Sequence, residues 1–303
     1  MFKTPASLQK GDQVALVTPA GFIENEKPLL LAEQLLHSWD LKPVRGTYVL
    51  EKNNCFSGTD KQRLTDFQAA LDNPKIKAIW AVRGGYGSMR ILSKLDFKKF
   101  KKNPKWIIGF SDITAIHSQL NKLKIKSIHG LMPVQLLEEN KNTEAAVETL
   151  HQALFGKNLE TIIPASKMNR TGSTQGILVG GNLSLLQSLL GTPFQINPKG
   201  NILFLEEVSE YKYRLDRLLQ SLKLAGYFDN LKGLVIGEFT DIKDNETPFE
   251  KTYQEIILDT VSDYNFPVIF DVPAGHFPNN HALILGSEVT LNVGEFVSCL
   301  RFS

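Results

Sequence analysis

A serine that ends one apolar run and opens a helical one is the first residue in this chain whose placement suggests chemistry. Trp106-Ile-Ile-Gly-Phe110 reads as a buried strand, and Ser111-Asp112 begins a helical run that continues to about Lys122. A serine hydroxyl becomes a competent nucleophile when a base takes its proton and an acid orients that base. The N–H groups at the following helix start, open by helix geometry, would stabilise an oxyanion. A helix N-cap is the other role a serine takes at such a place. The stretch Gly109-Phe-Ser-Asp112 also lacks the second glycine of the G-x-S-x-G elbow. The residues alone leave both readings open.

Two later segments could supply the partners. His276 lies in Pro273-Ala-Gly-His-Phe-Pro-Asn279, a turn soon after the strand-like Phe266-Pro-Val-Ile-Phe270. A histidine beside glycine in such a turn can present a ring nitrogen without burying it. Glu206 and Glu207 follow the apolar run Ile202-Leu-Phe-Leu205. Adjacent residues at a strand end point in opposite directions, so one of these acids can face a cleft. Composition does not decide which, and two structural carboxylates are the plain alternative. Among the other histidines, His117 sits about two turns into the helix after Ser111 and points away from a reaction centre. His129 is a candidate cleft residue, while His37, His151 and His281 read as surface. No H-E-x-x-H motif or cysteine cluster accompanies them, so neither a metal nor any other cofactor is expected.

Arg83-Gly-Gly-Tyr-Gly87 is a second strand-to-helix turn. Its glycines permit close approach of backbone to a ligand. The P-loop spacing with its lysine is absent, and so is G-x-G-x-x-G. A backbone donor to an oxyanion or a clamp for a peptide therefore fits the glycines as well as a phosphate cradle does.

These residues must be carried by a regular scaffold. Val14-Ala-Leu-Val17, Ile76 to Val82 and Trp106 to Phe110 are apolar runs of strand length, alternating with helical segments over 26–39, Ser88 to Leu95 and the run after Ser111. That alternation predicts a parallel sheet covered by helices, with ligands beyond the carboxyl ends of its strands. A polar, weakly patterned stretch, 158–175, is expected to link this domain, 1–157, to a second one, 176–303. In the second, Gly176 to Val179, Asn201 to Glu206, Leu234 to Gly237 and two strands over Glu288 to Phe302 are expected, with Gly180-Gly-Asn182 as a turn. Helices are expected over Leu183 to Leu190 and Tyr213 to Leu224. The pattern suggests a mixed or barrel-like α+β domain.

Composition bounds the rest. The 303 residues are 42% hydrophobic and 22% charged, with 18 phenylalanines, which is enough for packed cores and unlike a disordered chain. A formal charge of +2 is too small to argue for a nucleic-acid partner, and Lys98, Lys99, Lys101, Lys102 and Lys105 read as a solvated loop. Two cysteines, Cys55 and Cys299, form no disulfide framework. No signal-peptide core and no membrane span is visible, so a cytoplasmic location and no membrane partner are expected.

The ordered motifs carry a resemblance. Gly11-Asp-Gln-Val-Ala-Leu-Val-Thr-Pro-Ala20, Arg83-Gly-Gly-Tyr-Gly87, Gly109-Phe-Ser-Asp-Ile-Thr114, Gly180-Gly-Asn-Leu183, Leu203-Phe-Leu-Glu-Glu-Val208, Tyr213-Arg-Leu-Asp-Arg217 and Gly275-His276 follow one another. Over nearly the whole chain this series resembles the LD-carboxypeptidase family of serine peptidases, which includes murein tetrapeptide carboxypeptidases and microcin C immunity proteins. The resemblance implies an α/β architecture, with Ser111 as nucleophile in an N-terminal Rossmann-like domain and Glu206 and His276 as acid and base in the C-terminal domain. It implies an oxyanion hole from the backbone N–H groups of Asp112 and Gly85. Arg83, Tyr86 and Arg214 are the candidates for substrate binding. A muropeptide or related small peptide is the implied substrate, losing a terminal D-alanine, with an aminoacyl or peptidyl nucleotide as the alternative; a homodimer is the implied assembly. Glu207 stands where many members have aspartate, and Leu285 where proline is frequent.

Overall fold

Short apolar strands pair in parallel here because each is followed by helix, which returns the chain across the sheet. The computed structural model describes residues 1–137, 142–244 and 246–303. They divide into two compact units, Met1–Lys157 with Pro278–Ile284, and Asn158–Phe277 with Leu285–Ser303.

In the first unit β1 (Gln13–Val17), α1 (Lys27–Ser38), β2 (Lys42–Arg45), α2 (Asp60–Asp72) and β3 (Ile76–Ala81) are followed by α3 (Ser88–Leu92) and α4 (Lys98–Lys102). β4 (Trp106–Gly109), α5 (Thr114–Lys122), β5 (Ser127–His129) and α6 (Glu144–Leu154) complete the series. β1 pairs in parallel with β2 and β3, β3 with β4, and β4 with β5. The order reverses between β1 and β3, the topological switch that opens a crevice at the carboxyl ends of a doubly wound sheet. Ala78, Ile79, Trp80, Ile107 and Ile108 are fully buried, as strands covered on both faces require. The lysine-rich stretch is not wholly solvated. Lys98, Lys99, Lys101 and Lys102 are exposed, but Lys105 is buried and donates to the carbonyls of Ala70 and Asn73 at 2.9 and 2.6 Å. It thereby satisfies carbonyls at the end of α2, a favoured place for a cation.

The second unit holds β6 (Glu160–Pro164), β7 (Gly172–Asn182), α7 (Leu183–Ser188), β8 (Ile202–Val208), α8 (Lys212–Leu224), β9 (Gly233–Thr240), α9 (Tyr253–Thr260) and β10 (Val268–Ile269). After β11 (Leu283–Leu285), which extends the first sheet beyond β5, come β12 (Glu288–Val293) and β13 (Val297–Phe302). The order β10-β9-β8-β7-β12-β13-β6 is parallel from β7 to β10 and antiparallel from β7 through β12 and β13 to β6. Among the described residues no helix is long and apolar enough to cross a membrane.

Three expectations change. The stretch 158–175 is not a linker, because it contains β6 and the start of β7. Within it Arg170 exchanges both backbone hydrogen bonds with Val268 of β10, at 2.9 and 3.0 Å. A chain that leaves one edge strand, β6, thus reaches the other, β10, which gives the sheet its barrel-like character. Gly180-Gly-Asn182 is not a turn but the end of β7, with Asn182 opposite Glu206. Residues 176–303 are not one continuous domain either, since Pro278–Ile284 belongs to the first unit.

The guanidinium of Arg170 donates to the carbonyls of Tyr264, Phe266 and Val261, the last at 3.2 Å and next to the end of α9. Arg170→Ala removes these charge-assisted bonds and is expected to cost the second unit about 2–3 kcal/mol. A true linker position would cost under about 0.5 kcal/mol. Denaturant unfolding of the two proteins checks this.

Candidate active site

Ser111 occupies a strand-to-helix turn with a backbone that few non-glycine residues adopt. Its φ is 60°, between extended Phe110 and a 3₁₀ turn, Ser111–Ile113, that leads into α5. Such strain persists only where the surroundings hold it. The hydroxyl faces the glycine loop at close range: a Cβ on Gly84 would lie 3.0 Å from Ser111 Cβ and 3.2 Å from its Oγ. Gly84 therefore leaves the room that the serine occupies. Gly85 follows at the surface with φ 90°. The loop after β1 closes against the same place, Gly21 N–H donating to Gly84 O at 2.8 Å.

Three buried polar groups hold this turn. The Asp112 carboxylate accepts from Ser88 N–H at 2.8 Å, tying the residue after the serine to the end of the glycine loop. Burial pushes its carboxyl up, opposed by N–H groups of Ser88 and Gly87. His117, assigned no part at the site from the sequence, has a task. Its Nε2 meets Gly109 O at 2.8 Å and its Nδ1 meets Ser127 Oγ at 2.9 Å, and burial lowers its pKa to about 4. A neutral ring therefore donates to the carbonyl two residues before the serine. Arg63, 2% exposed, donates to Pro19 O, Gly58 O and Asp60 at 3.1, 2.7 and 2.6 Å, and a Cβ on Gly87 would approach its Nε to 3.4 Å. His129 is fully buried beside the Phe110 ring and lines no open surface.

In the second unit, Glu206 and Glu207 separate into two tasks. Both are buried, at 0% and 2% exposure. Glu206 Oε2 lies 2.7 Å from His276 Nδ1. Glu207 instead accepts from Asn182 Nδ2, Ser184 N–H and Val208 N–H at 3.0, 2.8 and 2.9 Å, and so anchors the start of α7. A bulge aims Glu206. Leu205 faces Ile236 and Glu207 faces Phe239, which leaves Gly237 and Glu238 of β9 opposite Glu206 alone. The histidine turn is fastened to that strand by Glu238 N–H to Ala274 O at 2.9 Å and Thr240 Oγ1 to His276 O at 3.1 Å. Gly275 permits the contact, since a Cβ there would come within 3.2 Å of Glu206 Oε2 and of Glu238 O.

Burial alone would lower the His276 pKa, but the charge of Glu206, its hydrogen bond and the charge of Glu207 raise it above the ordinary value. With Glu206 accepting at Nδ1, the neutral ring carries its proton there and presents Nε2 as the basic nitrogen. The ring is 20% exposed.

The remaining candidates have identifiable partners. Arg83 donates to Phe22 O at 2.6 Å and so pins the loop after β1. Tyr86 is 52% exposed and packs beside Phe56. Arg214, on α8, pairs with Glu210 at 3.1 Å. His281 is half-buried rather than loop surface, and burial lowers its pKa.

Known proteins resemble both units. A family model described as the LD-carboxypeptidase N-terminal domain matches residues 14–130, and one described as the LD-carboxypeptidase C-terminal domain matches 175–291. The murein tetrapeptide carboxypeptidase of Pseudomonas aeruginosa is 31% identical over 290 residues, covering 92% of each chain. The crystal structure of muramoyltetrapeptide carboxypeptidase from Oxalobacter formigenes matches with a TM-score of 0.88 at 27% identity, covering 96% of this chain and 98% of that one. The microcin C7 self immunity protein MccF in complex with aspartyl sulfamoyl adenosine matches at 0.86 and 21% identity, over 98% and 97% of the two chains, a likeness of fold.

The electrostatics can be tested directly. In an NMR titration the His276 midpoint is expected above about 6.5, the ordinary histidine value, and Glu206→Gln is expected to move it down. Because the folded value is raised, the pair's contribution to stability is complete below the unfolded value and is lost as pH rises through the folded one. Unfolding measured across that window should show wild type losing stability relative to Glu206→Gln as pH rises.

Proposed function

The chain belongs to the LD-carboxypeptidase family, and we propose that Ser111, His276 and Glu206 carry its serine carboxypeptidase chemistry on murein tetrapeptide. The observation that supports this most is the Glu206–His276 pair, at 2.7 Å and with the carboxylate wholly buried. It has the polarity of a base held by its acid. Ser111, strained and facing the glycine loop, has the setting of a nucleophile, and Ile113 rather than the serine stands at the N-cap of α5.

In the proposed cycle His276 Nε2 takes the Ser111 proton as Oγ attacks the carbonyl that precedes D-alanine. Glu206 keeps the ring in the productive tautomer and favours the imidazolium that forms. Backbone N–H groups of Asp112 and Gly85 receive the oxyanion, each worth about 3 kcal/mol where the bond strengthens in the transition state. The imidazolium returns its proton to the departing D-alanine nitrogen. Water, deprotonated by the same ring, then attacks the acyl-enzyme and frees Ser111. Tyr86, exposed beside Gly85, is the proposed contact for the peptide, and Arg83 shapes the neighbouring loop. Arg214 is retained as a contact for the substrate carboxylate on the strength of the sequence motif alone. The same family reading supports a cytoplasmic homodimer acting in cell-wall recycling.

Purified protein incubated with L-Ala-γ-D-Glu-meso-diaminopimelate-D-Ala should release D-alanine, detected by mass spectrometry. Ser111→Ala should lower turnover by at least about 10⁴-fold with its unfolding curve unchanged. Wild-type-like turnover in that variant would overturn the serine mechanism. Cleavage of an aminoacyl sulfamoyl adenylate with the tetrapeptide left intact would transfer the chain to the immunity-type reaction. Light scattering after gel filtration should give twice the 33.9 kDa chain mass.

A further inference from the structure

The net charge of +2 conceals a strong polarisation within the first unit. All five strands β1 to β5 run in parallel, so the segments that enter them emerge at one edge of the sheet. Ser111, which follows β4, stands at the opposite edge. The entering segments are 1–12, 39–41, 73–75, 93–105 and 123–126. Together they contain eleven lysines, three aspartates, and no glutamate or arginine, a balance of +8, so the rest of the chain carries −6.

The lysines come from segments distant in sequence that touch one another. Lys3 N–H donates to Lys124 O at 2.7 Å, and Lys3 Nζ reaches Lys101 O at 3.4 Å. Lys98, Lys99, Lys101 and Lys102 surround the single buried side chain of α4, Phe100, and all four are exposed. The three aspartates are already engaged. Asp12 accepts from Gln9 N–H, Asp40 pairs with Lys10, and Asp96 pairs with Lys98. Lys105 is buried and Asp72, at the end of α2, pairs with Lys99 at 3.3 Å, yet the exposed lysines still outnumber these acids.

We propose that this strand-entry edge is a docking surface for an anionic lipid bilayer. The choice of partner follows from the kind of cation. Lysine is a hydrated point charge that suits diffuse attraction to headgroup phosphates, whereas the planar fork of arginine, absent here, suits base edges and bidentate phosphate contacts. The strongly exposed aromatic residues Tyr86, Tyr211, Tyr213 and Phe296 all lie outside these segments. The two half-buried ones within them are engaged, Phe2 beneath the Lys124 ammonium at 4.8 Å and Trp39 against His151 and Phe155. An open row for stacking nucleic-acid bases is therefore not what the edge presents. Strands of four to six residues separate the edge from the Ser111 turn by about 13–20 Å. A bilayer bound at one edge therefore leaves the other accessible.

The test uses the full chain and sedimentation with lipid vesicles. Vesicles with about one-third phosphatidylglycerol should bind at least about tenfold more tightly than pure phosphatidylcholine at ~50 mM salt, and the binding should vanish at ~500 mM. The triple variant Lys98→Gln, Lys101→Gln, Lys102→Gln should bind about tenfold or more weakly, while the same three positions changed to arginine keep binding, because charge is what counts. Thermal unfolding shows that both variants are folded, whether or not tetrapeptide is cleaved. Equal binding to neutral and anionic vesicles, undiminished binding of the glutamine variant, or tighter binding to duplex DNA than to the anionic vesicles would each overturn the proposal.

Discussion

A carboxylate removed from water is destabilising unless a partner holds its charge, and Glu206 is removed completely. Among the described residues its hydrogen-bond partner is a ring nitrogen, His276 Nδ1 at 2.7 Å. Much of the second unit is arranged around that bond. The bulge in β9 turns Glu206 toward the ring, the bare Gly275 lets the turn lie against it, and Thr240 holds the His276 carbonyl. Glu207, one residue on, would repel an unpaired neighbour. Three donors occupy it, although burial and the charge of Glu206 still raise its pKa.

The first unit meets a different constraint, in its backbone. A serine at φ 60° stores strain of order 1–3 kcal/mol and relaxes unless its neighbours are fixed. His117 fixes the carbonyl before the turn, Asp112 fixes the segment after the glycine loop, and Arg63 knits the loops beneath. None of these side chains contacts a reacting atom in the proposed cycle. They hold the backbone that carries the hydroxyl.

The alternation of strands and helices made the first sheet legible, because buried parallel strands read as continuous apolar runs. The order of the motifs pointed to Ser111, Glu206 and His276 together. The division between Glu206 and Glu207 was not legible, since β8 is covered on both faces and a bulge leaves no mark in the residues. That Gly84 makes room for the serine was not legible, because only the folded loop shows which glycine lies against it. Strand β6 looked like a linker because its partner, β13, lies more than a hundred residues away. Helix α2 went unnoticed for want of an apolar stripe, although its capping box, Thr59 with Gln62, stands in the sequence. The lysine edge escaped for a related reason: its members are scattered along the chain, and only parallel pairing gathers them.

The return of Pro278–Ile284 to the first unit constrains how the chain can be made. Synthesis delivers β1 to β5 early, yet β11, which covers the flank of β5, comes about 150 residues later. Until then β5 is an unprotected margin, with backbone groups open to any other strand. The N-terminal half is therefore unfinished as an autonomous folding unit, and a polypeptide stopped at Lys157 would expose that margin permanently. The proposed base is bracketed in the same way, since His276 lies after the last parallel strand of one sheet and before the strand that completes the other. Its turn acquires fixed ends only when nearly the whole polypeptide has been translated, so His276 is among the last parts of the molecule to mature.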